Sequence, residues 1–221
     1  FLSKEYKFKF IKKKNFIINK KIKIINNGIS TFKKIKLPNL KKKNLKLGML
    51  ARFSNGKYQD LVIQSFNKLL ITNKNLKLSL VGEGENLSKC KEIVKNLNLQ
   101  KKVSFENSIK LSDLTSWFKN IDVYIHLSKD EGLSTAILYA IQLNRPVIAS
   151  LNNGNKFLLN KKGNYAIVVK NNILSVVSSF KLICKNEKFI IKMIQRSKNH
   201  ILKNFSSEKM FTQYNNILNE K

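Results

Sequence analysis

From residue 45 onward, short apolar runs alternate with longer stretches whose apolar residues recur three and four apart. The runs are LKLGML at 45–50, LKLSLVG at 76–82, KKVSFEN at 101–107, IDVYIHLS at 121–128, PVIAS at 146–150 and YAIVV at 165–169. Their nearly continuous apolar character predicts strands covered on both faces. Pro146 opens its run, a place where a missing N–H is tolerated. Between the runs, helical spacing predicts a helix from Tyr58 to Thr72, with Leu61, Ile63, Phe66, Leu69 and Leu70 on one apolar face. A second helix runs through Leu87, Ile93, Val94 and Leu97, and a third carries Leu114, Trp117 and Phe118 with Ser112 placed to cap it. A fourth spans Thr135 to Leu143. The chain finishes with helices at about 171–185, 187–203 and 207–219, the last capped by Ser206 or Ser207.

Strands separated by helices mean βαβ units, hence an α/β fold with a Rossmann-like, doubly wound parallel sheet and flanking helices. Such sheets bind ligands beyond the carboxyl ends of their strands. The loops to inspect are therefore 52–57, 82–85, 107–111, 128–134 and 151–155. The first holds Arg52 and Lys57, a cationic pair where this kind of sheet receives phosphate. VGEGE at 81–85 lacks the third glycine of a dinucleotide fingerprint and the Lys-Ser/Thr of a P-loop, so its glycines are read as tight turns beside a neighbour. In SKDEGLSTAI at 128–137, Glu131 and Gly132 precede Ser134 and Thr135, which can open a helix whose first N–H groups form an anion site. Glu131 has two readings here. It accepts hydrogen bonds from sugar hydroxyls, or with Asp130 it simply favours the helix dipole. His126 lies inside a strand and reads as a satisfied core residue; His200 lies on a late helix with no partner evident from sequence.

Composition sharpens this picture at one point. The 221 residues carry 43 Lys+Arg against 13 Asp+Glu, a formal net charge of +30. A polyanion-binding module is the reading that charge alone suggests. Yet only Arg52, Arg145 and Arg196 are arginines, whereas phosphate-reading surfaces favour the Arg fork. Lys, Asn and Ile share AT-rich codons, so coding bias accounts for most of the charge. Residues 1–50 hold 16 lysines and a single acid, Glu5, so half of the net charge lies away from the loops above. With 43% apolar residues the chain is not disordered. No apolar run reaches the roughly 20 residues of a membrane span. Cys90 and Cys184 lack metal spacing and fit a reducing compartment. The start, FLSKEYKFKF, has neither an initiating Met nor the apolar stretch of a signal peptide, and reads as the start of a fragment.

Taken in order, these segments resemble the C-terminal half of the family 4 retaining glycosyltransferases, which have the two-domain GT-B fold. IINNGIS at 24–30, GMLARFSNGKYQDLVIQSF, LSLVGEGE, VSFEN, DVYIHLSKDEGLSTAILYA, RPVIAS and FSSEKMFTQYNNIL are similar to successive family landmarks. The resemblance implies a tail of the N-terminal domain and linker at 1–45, a nucleotide-sugar-binding domain at 46–203 and a crossover helix at 204–221. It implies that Arg52 and Lys57 hold the donor diphosphate and that no metal or other cofactor is needed. By the same resemblance, Glu131 contacts the donor sugar, Gly132, Leu133 and Ser134 form the turn over sugar and phosphates, and the loop near Ile109 holds the base. The implied partners are a nucleotide-sugar donor and a glycan or lipid-linked acceptor bound by a domain preceding this chain. An anionic membrane surface is a secondary partner and nucleic acid is not expected. The implied setting is bacterial cell-surface glycan or glycolipid synthesis, in the cytoplasm or on the inner face of its membrane.

Three positions depart from the family pattern. Tyr139 stands where a second Glu, eight residues after Glu131, usually binds the ribose. Phe157 stands where a Glu often follows Gly154 and Asn155, and Asn107 replaces a usual Gly. The first two substitutions keep open a non-catalytic relative that binds a nucleotide or partner without turnover.

Overall fold

The computed structural model describes residues 23–32, 35–159 and 165–219, apart from the side chain of Phe157. The Phe157 reading, the lysine-rich opening at 1–22 and part of the proposed linker therefore lie outside the described residues.

Among the described residues six strands form one sheet: β1 (Lys46–Leu50), β2 (Lys77–Val81), β3 (Val103–Glu106), β4 (Val123–His126), β5 (Val147–Ser150) and β6 (Ile167–Val169). Every neighbouring pair is parallel, and the order is β3-β2-β1-β4-β5-β6. The winding starts at β1, runs outward to β3, then returns to β4 on the other side of β1. The gap between β1 and β4 is thus the switch point, where connections leave in opposite directions and a crevice opens beyond the strand ends.

Helices cover both faces. On one side α1 (Gln59–Leu70), α2 (Leu87–Asn96) and α6 (Ile173–Lys185) bury Val62, Ile63, Phe66, Val94, Val176 and Phe180 against Leu47, Met49, Leu78 and Ile125. On the other, α3 (Leu114–Lys119), α4 (Thr135–Gln142) and α7 (Glu187–Asn204) bury Trp117, Phe118, Ile137, Leu138 and Ile201 with Tyr124, Val147 and Ala149. Alternate residues of one strand thus enter opposite cores, which is why the strands read as unbroken apolar runs.

Two local details differ from the sequence reading. Ser112 does not cap a helix: residues Leu111–Asp113 form a 3₁₀ turn, and the Ser112 hydroxyl bonds the Asp113 carboxylate at 3.1 Å. The chain enters α3 through that tighter turn, so no extended capping residue precedes it. A short helix not foreseen, α5 (Asn155–Leu159), follows β5. The last helix, α8 (Ser207–Leu218), is capped by Ser206, whose hydroxyl accepts from the Lys209 N–H at 3.2 Å.

The segment before β1 is tied down by backbone and buried polar groups. Ile29 pairs with Ser206, its N–H donating to Phe205 O at 2.9 Å and its carbonyl accepting from Ser207 at 3.1 Å. Arg145 is buried and donates to the carbonyls of Leu143 (2.9 Å), Ile121 (2.8 Å) and Lys36. Burial brings its pKa down to about 10, with Asp122 opposing that shift. Asp122 accepts from the Lys46 N–H at 2.7 Å and pairs with Lys42 at 2.8 Å. No described helix is long and apolar enough to cross a membrane.

Candidate functional site

At the end of β1 the chain turns outward through Arg52. The buried amide of Gln59, at the start of α1, donates to Arg52 O at 2.9 Å and fixes that turn from below. The loop after β2 is laced to it: Ala51 N–H donates to Val81 O at 3.0 Å and Phe53 N–H to Glu83 O at 2.7 Å. Gly82 is required here. Its φ is +141°, and a Cβ would overlap Ala51 O. The sequence reading of VGEGE as tight turns thus holds, and both glycines also line the cleft. Glu83 accepts from the backbone N–H (3.2 Å) and hydroxyl (3.0 Å) of Ser108, which hold its carboxyl below the usual range and tether the loop carrying Ile109.

Across the switch point the loop after β4 is stitched to the same turn. Lys57 and Ser128 form an antiparallel bridge, and Lys129 N–H donates to Gly56 O at 2.8 Å. Below it, Ser128 N–H donates to the Ser150 hydroxyl (2.9 Å) and the Asn152 amide donates to the Ser128 hydroxyl (2.8 Å). From the β5 loop, Gly154 lies so close that a Cβ would overlap the carbonyl oxygens of Glu131 and Gly132. The 131–134 turn is therefore held from beneath by packed backbone.

These constraints bring Lys57 Nζ onto Glu131 Oε1 as an ion pair. The same oxygen lies 2.7 Å from His126 Nε2. His126 Nδ1 lies 3.1 Å from the Tyr124 hydroxyl, itself 3.0 Å from Leu50 O. Burial, helped by the Lys57 charge, brings the His126 pKa down to about 3, so the ring is neutral. Burial also lowers the Lys57 pKa, opposed by Asp130. Ser134 precedes α4 but makes no capping bond; its hydroxyl lies 3.3 Å from His126 Nε2. Among the described residues no side chain bonds the first-turn amides of α4, where Thr135 and Ala136 line the cleft wall.

The result is one open cleft of about 840 Å³ at the switch point. That is ample for a small-molecule ligand. Arg52, Lys57 and Glu131 line it together with Ile109 and the Gly132–Leu133–Ser134 turn. Tyr139 closes one wall, its ring edge-on to Phe32 with centroids 5.5 Å apart. Burial raises the Tyr139 phenol pKa, so it is a neutral group. Every site residue expected from sequence thus borders a single cavity. One was missed: His126 is a satisfied, buried residue as expected, but it also lines this cleft and holds Glu131. Its position as the last residue of β4 was the available signal. His200 stacks on Tyr165 at 4.3 Å, away from this cleft. Among the described residues, no three His, Cys, Asp or Glu side chains converge as a metal set.

Residues 30–200 match the family model described as glycosyl transferases group 1. Protein CapJ of Staphylococcus aureus is 33% identical over 120 residues, covering 53% of this chain and 30% of CapJ. The alpha-monoglucosyldiacylglycerol synthase of Streptococcus pneumoniae is 31% identical over 151 residues, covering 62% of this chain and 34% of that protein. The solved structure of Anabaena HepE in complex with UDP-glucose superposes with a TM-score of 0.78 at 17% identity, over 90% of this chain and 57% of HepE. The chain therefore spans about a third of the length of these two curated relatives and little more than half of HepE. With the family model matched over most of its length and the Rossmann-like half of a GT-B fold in place, the chain belongs to the group 1 glycosyl transferases.

Proposed function

We propose that residues 46–203 form the donor-binding unit of a retaining glycosyltransferase, which moves a sugar from a nucleotide diphosphate to an acceptor hydroxyl. Residues 1–45 serve as the end of a preceding domain and the linker into this one, and residues 204–221 as the crossover segment, which holds α8. The observation that carries this reading is the convergence of Arg52, Lys57 and Glu131 on one cleft at the sheet's switch point. Arg52 and Lys57 hold the diphosphate and take up the negative charge that builds on it as the sugar leaves, so the reading calls on no metal. Glu131 accepts a hydrogen bond from a sugar hydroxyl. The uncapped amides of α4 and the 132–134 turn face the sugar and phosphates. The loop at Ile109 faces the base.

The name of the pneumococcal relative, a glycolipid synthase, supports a lipid-linked or glycan acceptor in cell-surface synthesis. The HepE complex supports a nucleotide-sugar donor. The lysine excess suits a cytoplasmic protein working against an anionic membrane face, where each well-placed Lys contributes about 1 kcal/mol.

Calorimetric titration of the 221-residue chain with UDP- and GDP-sugars tests the donor reading. Saturable binding supports it, and no binding by a folded chain sinks it. A second reading, a relative that binds donor without turnover, rests on the neutral Tyr139 packed on Phe32 where the family carries a carboxylate. Donor binding without transfer by the full-length protein favours that one.

A further inference from the structure

Oε1 of Glu131 is shared by two side chains: Lys57, from the β1 loop, and His126, from the end of β4. Oε2 has no hydrogen bond among the described residues, yet it is not sealed from solvent, and Glu131 lines the cleft. The Lys57 contact is open to competition. A diphosphate in the cleft competes for that ammonium, because a dianion near it offers more charge than a single carboxylate. The His126 contact is not conditional, since the ring is 2% exposed and packed between Tyr124 and Ser134.

The direction of this contact follows from donor counting. A carboxylate oxygen only accepts, so the nitrogen 2.7 Å from it carries the hydrogen. A neutral imidazole has one N–H, which leaves Nδ1 bare. Nδ1 then requires a donor, and the Tyr124 hydroxyl at 3.1 Å is the group within reach. That hydroxyl donates to Leu50 O at 3.0 Å and has one hydrogen to give. Seating Glu131 therefore makes Nδ1 of His126 share the Tyr124 hydrogen with Leu50 O.

We infer that His126 is a positioning residue for the donor site: its Nε2–H, backed by Tyr124, holds Oε1 of Glu131 so that Oε2 stays aimed at the sugar after Lys57 turns to the diphosphate. This rests on the donor reading for the identity of the ligand, but not for the geometry of the ring. A core histidine that merely fills space predicts no such split between nucleotide and sugar.

Two measurements on the 221-residue chain test it. The first is nitrogen NMR of ¹⁵N-labelled histidine, with His126 assigned by its loss in His126→Gln. The expected signal is a neutral ring protonated on Nε2 throughout pH 5 to 8, facing Lys57, Glu131, Tyr124 and Ser134. A ring protonated on Nδ1, or an imidazolium at pH 7, overturns the inference. The second compares UDP with UDP-glucose and GDP with GDP-mannose. In His126→Ala the affinity for the bare nucleotide stays within about twofold, while the share due to the sugar falls about tenfold. His126→Gln, which keeps an N–H at similar reach, recovers most of that share. Equal losses for nucleotide and nucleotide-sugar, or no recovery by Gln in a chain with unchanged circular dichroism, overturn it. If the parent chain binds none of the four, the donor reading fails and the NMR result alone decides the role of His126.

Discussion

Lys57 and Glu131, 74 residues apart in sequence, form an ion pair across the gap between β1 and β4. The pair neutralises the floor of the cleft while no ligand is present, and its two halves have different tasks once a diphosphate enters. Replacing Glu131 with Gln releases the Lys57 ammonium from its competitor. Bare UDP or GDP is then expected to bind the variant at least as tightly as the parent chain, while the gain from an attached sugar shrinks. Calorimetry on matched nucleotide and nucleotide-sugar pairs checks both halves.

The buried His126 ties stability to pH. Its folded-state pKa of about 3 lies below the ordinary value of 6.5, so between these limits the unfolded chain binds more protons than the folded one. Stability from this group is complete above about pH 6.5 and is lost as pH falls toward 3. Urea midpoints measured from pH 7 down to pH 4 should fall for the parent chain and fall less steeply for His126→Gln. In Lys57→Met the opposing positive charge is gone, and the His126 pKa should rise, read by the same imidazole NMR signal.

Gly154 supports the sugar turn from below. In Gly154→Ala the new methyl overlaps the carbonyls of Glu131 and Gly132 and forces that turn outward. The expected cost is about 1–3 kcal/mol of stability, as for other overpacked sites. Thermal melting checks it. Nucleotide-sugar affinity should drop more than nucleotide affinity, because Arg52 sits on the other loop.

Tyr139 can be asked whether the departure from the family pattern limits binding. In Tyr139→Glu a carboxylate returns to the cleft wall at the loss of the edge-on contact with Phe32. UDP is expected to bind about three- to tenfold more tightly, the roughly 10- to 100-fold gain of one charge-assisted hydrogen bond being partly offset by the lost ring contact. An equal or weaker affinity shows that the neutral wall is already matched to its ligand.

Much of this architecture was legible in the sequence because both faces of the sheet are covered. Strands such as LSLV and VYIH show apolar residues on consecutive positions, and the helices between them show a clear apolar face. The loops followed from the rule that ligands sit beyond strand carboxyl ends, and Arg52 stood out through the scarcity of arginine. What stayed illegible depends on distance in three dimensions. The Lys57–Glu131 pair requires β4 to lie beside β1, which the order of segments does not state. His126 looked like core because the apolar run continues past it to Leu127, so it reads as a strand interior, whereas β4 ends at His126. Arg145, as rare as Arg52, turned out to be buried on the carbonyls of three separate segments. The five-residue α5 is too short to show a helical period.

The central claim is that two cations at one switch-point cleft read the diphosphate of a sugar donor. The most direct test is the calorimetric Kd of UDP and GDP for the parent chain, Arg52→Ala and Lys57→Ala. Loss of a charge-assisted contact is expected to weaken binding by about 10- to 100-fold in each variant, from about 1.5–3 kcal/mol per contact. Affinity unchanged in both variants, with the fold intact, contradicts the account.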